Sequence, residues 1–125
     1  FTDHPKAVVL RAKLALHGGD QEAIKARMEE LSAKRRASQP LEMPSAGSTF
    51  RRPAGHFVGP MIEKAGLKGF RVGGAEVSRK HAGFVVNAGG ATAADVLGLI
   101  RHIQETIRRT DGVDLVPEVL ILGEE

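Results

Sequence analysis

The segment from Thr92 to Asp111 constrains this chain more than any other, because it is written as one amphipathic helix. Val96, Ile100, Ile103 and Ile107 recur at steps of four, three and four residues, which puts branched apolar side chains on a single face. Thr92 followed by Asp95 has the form of a capping box, with Asp in place of the usual Glu or Gln. A helix with one long apolar face must bury it against a second layer, and the rest of the chain has to supply that layer.

The remaining text offers both strands and helices. Residues Ala7 to Leu16 alternate, with Leu10, Ala12, Leu14 and Leu16 on one parity, the pattern of a half-buried strand. Gly18-Gly19 makes a turn and Asp20 caps a helix, with Glu22 in its first turn near the positive end of the dipole. Ile24, Met28 and Leu31 follow at helical spacing, and Arg35 continues that stripe, which predicts that it emerges on the side facing the protein body. Pro40 stops the element. From Gln39 to Gly59 the sequence reads as a long loop, and a loop of that length inside a small domain is usually functional or disordered. A short helix is expected from Gly59-Pro60 to Gly66, burying Met61, Ile62 and Ala65. Phe70 to Val72 and Gly83 to Asn87 read as short strands. Val113, Leu115, Val119 and Ile121 mark a last extended segment, which Pro117 confines to an edge or a bend. The expected class is α+β, a single small domain with a mixed or antiparallel sheet packed by two longer helices and one short helix.

Composition narrows the functional classes. The chain has 125 residues, 42% of them apolar, enough for one domain with a core. No apolar run approaches the roughly 20 residues of a spanning helix, so no membrane partner is expected. With no cysteine, disulfide scaffolds and thiolate metal sites are excluded, and the histidines at 4, 17, 56, 81 and 102 lack metal-ligand spacing, so no metal is expected. The net charge of +3 and a pI near 9.6 favour anionic partners. Basic clusters at Lys34-Arg35-Arg36, Arg51-Arg52 and Arg108-Arg109 would suit nucleic acid, but acidic residues are interleaved and tyrosine and tryptophan are absent, which removes the usual stacking platforms. No nucleic-acid partner is expected. The opening Phe1-Thr2-Asp3-His4-Pro5 carries neither an initiator methionine nor a signal-type segment, and reads as a fragment.

Three constellations carry potential chemistry. In Gly47-Ser48-Thr49-Phe50-Arg51-Arg52-Pro53 a glycine lets the backbone turn and Ser48 can aim its hydroxyl into a cleft, with two guanidinium groups behind it; the plainer alternative is a turn-closing hydroxyl and two solvated arginines. In Lys80-His81 the imidazole can donate to a ligand oxygen, or simply serve a local loop partner. Glu118, in a run otherwise apolar from Val113 to Leu122 apart from Asp114, either faces water on an edge strand or is held in a site. Gly73-Gly74 and Gly89-Gly90 do not complete a dinucleotide fingerprint, and no Walker loop is present.

Taken together, several segments resemble one family. They are Gln39-Pro40, Pro44 to Pro53, Ala65-Gly66-Leu67-Lys68-Gly69-Phe70-Arg71-Val72-Gly73-Gly74-Ala75, Lys80-His81-Ala82-Gly83-Phe84-Val85-Val86-Asn87 and Leu115-Val116-Pro117-Glu118-Val119. In order and spacing they are similar to the C-terminal region of the UDP-N-acetylenolpyruvoylglucosamine reductase (MurB) family, and to its shorter subtype.

The resemblance implies an enzyme of peptidoglycan synthesis in the cytoplasm, in which NADPH reduces FAD and the flavin reduces the enolpyruvyl double bond of UDP-N-acetylglucosamine enolpyruvate to give UDP-N-acetylmuramate. It implies that Ser48 is the proton donor and Glu118 an assisting carboxylate. Arg35, Gln39, Arg52, Lys68 and His81 would hold the substrate carboxylate, diphosphate or uridine. Arg52 stands where some members have asparagine, and Leu120 where arginine often follows Pro-Glu-Val. By the same resemblance residues 1–17 are the last strand leading out of an FAD-binding domain that would precede Phe1, and 18–125 the substrate-binding domain, inactive alone. The alternative is a stand-alone nucleotide-sugar or anion-binding module.

Overall fold

A computed structural model of the protein describes residues 8–122, and these fall in two compact units divided between residues 32 and 33. In the first unit, residues 8–19 have no regular secondary structure, and Val8, Leu10, Leu14 and Leu16 are exposed. This corrects the strand expected up to residue 17: alternation specifies a strand only where a sheet offers backbone partners, and no described segment pairs with residues 8–19. The part of that expectation on residues 1–7 lies outside the described residues, as does the end of the expected domain at 123–125.

Helix α1, Gln21–Ser38, begins in the first unit and ends in the second. Asp20 caps it, its carboxylate accepting from the Ala23 amide at 2.7 Å. The apolar stripe predicted for it is present in sequence but buries nothing: Ile24, Met28 and Leu31 are exposed and no residue of α1 is buried. Arg35, on the same helix, is itself exposed.

The second unit is built on a four-stranded antiparallel sheet of order β1-β4-β3-β2, with β1 at Ser45–Ser48, β2 at Arg71–Val72, β3 at Ala75–Val77 and β4 at Phe84–Asn87. Strand β1 lies within the expected loop, and β3 lies between the two expected strands, where no element was expected. Helix α2, Val58–Lys64, and helix α3, Ala93–Asp111, complete the unit. The α3 capping box forms in both directions: the Asp95 amide donates to the Thr92 hydroxyl at 3.1 Å and the Thr92 amide to the Asp95 carboxylate at 2.9 Å. Gly112 ends α3 in the left-handed conformation at φ 67°. The predicted face of α3 packs on β2, β3, β4 and α2, and Leu99, Ile103 and Ile107 close a core with Phe50, Ile62 and Val77. Each such side chain contributes about 1.5–3 kcal/mol by leaving water.

Two local features position the site. Between Ser45 and Ser48 the register with β4 slips, because Ser45 lies opposite Val86 but Ser48 opposite Phe84, so three steps along β1 match two along β4. Gly47, at φ 89°, absorbs the extra residue, and such a bulge re-aims the next side chain. The chain after β1 then pairs with the final extended segment. Arg51 donates to the Val116 carbonyl and Glu118 to the Thr49 carbonyl, both at 2.9 Å, around an antiparallel bridge between Phe50 and Pro117. These bonds flank the bridged pair, so the N–H that proline lacks is not needed there.

Candidate functional site

Ser48 is the last residue of an edge strand, re-aimed by the Gly47 bulge and exposed, its hydroxyl donating only a long 3.4 Å bond to the Phe50 carbonyl. Glu118 arrives on the other side through the pairing at Thr49. The two side chains, far apart in sequence, line a single hollow of about 360 Å³ together with Ala46 and Val119. A hydroxyl and a carboxylate are thus brought to one cavity whose remaining wall is small and apolar.

Thr49 makes this convergence possible and was not singled out from sequence. It is buried, its hydroxyl accepts from the Val85 amide at 3.0 Å, its own amide donates to the Gly83 carbonyl at 2.9 Å, and its carbonyl receives Glu118. The sequence shows only a threonine between Ser48 and Phe50, which does not distinguish it from a loop hydroxyl.

The basic and polar candidates sit on turns of the second unit. Arg35, in the last turn of α1, donates from Nε to the Gln39 side-chain oxygen at 3.0 Å, so these two are adjacent. His81 is half-buried. Its Nδ1 accepts from the Gly83 amide at 3.1 Å, which leaves the ring proton on Nε2 as the donor available to a ligand. The ring stands edge-on to Phe84 at 5.0 Å and borders Gly59 in the first turn of α2. Arg52 is held locally, donating from Nε to the His56 carbonyl at 3.2 Å and lying 3.9 Å from the centre of the Phe57 ring. Lys68 pairs with Glu63 of α2 at 2.8 Å. The structure therefore joins Ser48 with Glu118 and Arg35 with Gln39, while Arg52, Lys68 and His81 each have partners of their own.

A second feature escaped the sequence reading. Beside the hollow, and sharing Ala46 and Val119 with it, runs an apolar groove of about 540 Å³ lined by Pro44, Val86, Val96, Ile100 and Leu122 among others. Leu120, Ile121 and Leu122 are largely exposed along it. Among the described residues no cluster of three potential metal ligands occurs, and no helix is long and apolar enough to cross a membrane.

Fold and site define a small α+β domain in which a bulged edge strand brings a hydroxyl, and the final extended segment a carboxylate, to one hollow. A family model described as UDP-N-acetylenolpyruvoylglucosamine reductase, C-terminal domain, matches residues 39–122. The chain belongs to that family, as its C-terminal domain. It is 62% identical over 118 residues to the UDP-N-acetylenolpyruvoylglucosamine reductase of Lactobacillus johnsonii, covering 94% of this chain and 39% of that protein. The enzyme of the same name from Syntrophomonas wolfei is 58% identical, with 94% of this chain and 40% of that protein covered. The crystal structure of the Thermus caldophilus reductase (MurB) superposes with a TM-score of 0.68 at 39% identity, over 82% of this chain and 36% of that one. The chain thus spans about two fifths of the length of the relatives it matches.

Proposed function

We propose that this domain is the UDP-sugar-binding part of an FAD-dependent, NADPH-using reductase of peptidoglycan synthesis, acting in the cytoplasm on UDP-N-acetylglucosamine enolpyruvate to give UDP-N-acetylmuramate. Residues 18–125 supply the substrate domain, and those before it lead from an FAD-binding domain without which the chain is inactive. The observation that carries the reading is the shared hollow of Ser48 and Glu118.

Reduction of the enolpyruvyl double bond adds hydride to one carbon and a proton to the other. Hydride chemistry belongs to the flavin, and the described residues do not fit that group: neither glycine doublet completes a phosphate cradle, and the hollow has only two polar side chains. FAD would rest mainly on the preceding domain. The proton falls to this domain's own residues. Ser48 donates it from Oγ to the enolate carbon; a serine hydroxyl is a weak acid, but a carbanionic carbon is a strong base, so placement governs the step. The long bond to Phe50 leaves the hydroxyl free to turn toward substrate. Glu118 assists from across the hollow, and the resulting alkoxide recovers its proton from solvent. Arg35, Gln39, Arg52, Lys68 and His81 bind the carboxylate, diphosphate and uridine. Guanidinium and ammonium groups suit a diphosphate, and the excess of positive charge agrees with that ligand.

The test is Ser48→Ala in the complete reductase. Oxidation of NADPH by the flavin should continue while reduction of the enolpyruvyl sugar stops; undiminished sugar reduction sinks the reading. Tight, flavin-independent binding of UDP-sugar by the 125-residue chain in calorimetry would instead favour a stand-alone binding module.

A further inference from the structure

The end of α1 carries Arg35 and leads directly to Gln39, two candidate substrate contacts, yet α1 itself buries none of its residues and the first buried side chain of this segment is Pro40. In an α-helix the carbonyl of Arg36 would receive the N–H of residue 40, and residue 40 is proline. The orphaned carbonyl is filled from elsewhere in the second unit: Lys80 Nζ donates to it at 2.6 Å. The same ammonium lies 3.6 Å from the Glu42 carboxylate, in the turn that follows the helix. A cation at a helix C-terminus is also favoured by the helix dipole.

The root of this tether is fixed. The amides of Lys80 and His81 both donate to the Ser78 hydroxyl at 3.2 Å, and Ser78 is buried, with its own amide bonded to the Phe84 carbonyl at 2.9 Å. One short loop therefore carries His81, another candidate substrate contact, and reaches the helix end beside Arg35 and Gln39.

We infer that Lys80 is a positioning residue for the substrate site: its ammonium stands in for the N–H that Pro40 lacks, closes the end of α1, and sets Arg35 and Gln39 in register with the His81 loop. The inference rests on the reading of Arg35, Gln39 and His81 as substrate contacts, and it gives Lys80 no contact with substrate.

The test compares variants of the complete reductase. Lys80→Met should raise the KM for the UDP-sugar about tenfold, roughly the worth of one charge-assisted hydrogen bond, with little change in kcat or in NADPH-driven flavin reduction. Lys80→Arg should recover most of the loss. Adding Pro40→Ala to Lys80→Met should also recover it, because residue 40 then supplies the missing N–H. Failure of that double variant to recover, in a folded enzyme, overturns the inference. An unchanged KM in Lys80→Met beside a raised KM in Arg35→Ala overturns it too, while leaving the functional reading intact. An unchanged KM in Arg35→Ala removes the substrate-contact reading and the inference with it. Should Lys80→Met fail to fold, a folded Pro40→Ala double variant supports the tether and an unfolded one rejects it.

Discussion

The amide of Glu118 donates to the carbonyl of Thr49 at 2.9 Å, next to the residue that opens the hollow. Through this bond the relative placement of Ser48 and Glu118 is set by backbone pairing rather than by long side chains. Thr49 is bonded in three directions, to Val85, Gly83 and Glu118, so the hydroxyl-bearing strand end, β4 and the final extended segment share one buried joint.

Replacing Thr49 by valine keeps the shape and removes the oxygen that receives the Val85 amide. A buried donor left without a partner costs about 1–3 kcal/mol. Chemical denaturation of Thr49→Val should show a lower midpoint of that size with an unchanged slope. Stability equal to the parent would mean that the joint relaxes to another acceptor.

Ser48 and Glu118 should behave as a unit. In the complete reductase, Glu118→Gln is expected to lower sugar reduction by about a hundredfold while flavin reduction by NADPH proceeds normally. The Ser48→Ala, Glu118→Gln double variant should then fall little below the worse single variant, because groups serving one proton transfer are not additive. Multiplicative losses in steady-state assays would show that the two act independently.

Two glycines separate backbone necessity from mere space. Gly73-Gly74 forms the two-residue turn between β2 and β3, with φ 52° at Gly73, as tight hairpins require at that position. A Cβ on Gly74 would fall 2.4 Å from both the Gly89 carbonyl oxygen and the Ala91 nitrogen. Both are backbone atoms, so Gly74→Ala should destabilise by about 2 kcal/mol or more. Gly98 lies inside α3, where a Cβ would meet only Val72 Cγ1 at 3.4 Å. Gly98→Ala should therefore stabilise, by up to about 1 kcal/mol through helix propensity. Thermal melts of the two variants should move in opposite directions.

The legible parts of the fold were those written by local rules. The α3 stripe and its Thr92–Asp95 box, the Asp20 cap of α1 and the strand at β4 all carry their own signals. The parity of residues 8–16 misled, because alternation is a property of a sequence and a strand is a property of a pair. Strand β3 is Ala-Glu-Val, and its central Glu76, a buried carboxylate paired with Arg71 at 2.7 Å and Arg79 at 3.1 Å, puts a charge where a buried strand is expected to be apolar. Strand β1 is Ser-Ala-Gly-Ser, which has little β-propensity and forms because β4 and its own bulge accept it. For that reason the approach of Ser48 to Glu118 was visible only through family resemblance: one partner lay in apparent loop and the other beside a proline.

Asp95 ties α3 to the β2–β3 turn, and its titration should report that tie. The backbone amide of Thr92, then the Thr92 hydroxyl and the Gly74 amide, hold its carboxyl below the ordinary value of 3.8. A carboxylate with a depressed folded pKa adds stability that is fully present above 3.8 and is lost as pH falls through the lower folded value. Asp95→Asn should therefore be less stable than the parent near neutral pH, and the gap should close progressively as the pH drops below 3.8. Asp111 is lowered as well, first by the Thr110 hydroxyl and then by Lys64, so the variant should keep part of the acid slope. Denaturation midpoints measured from neutral pH down to about pH 2 would check this. A gap that stays constant across that range would mean the Asn side chain loses packing or geometry alone, and that the charge of Asp95 contributes nothing to the cap.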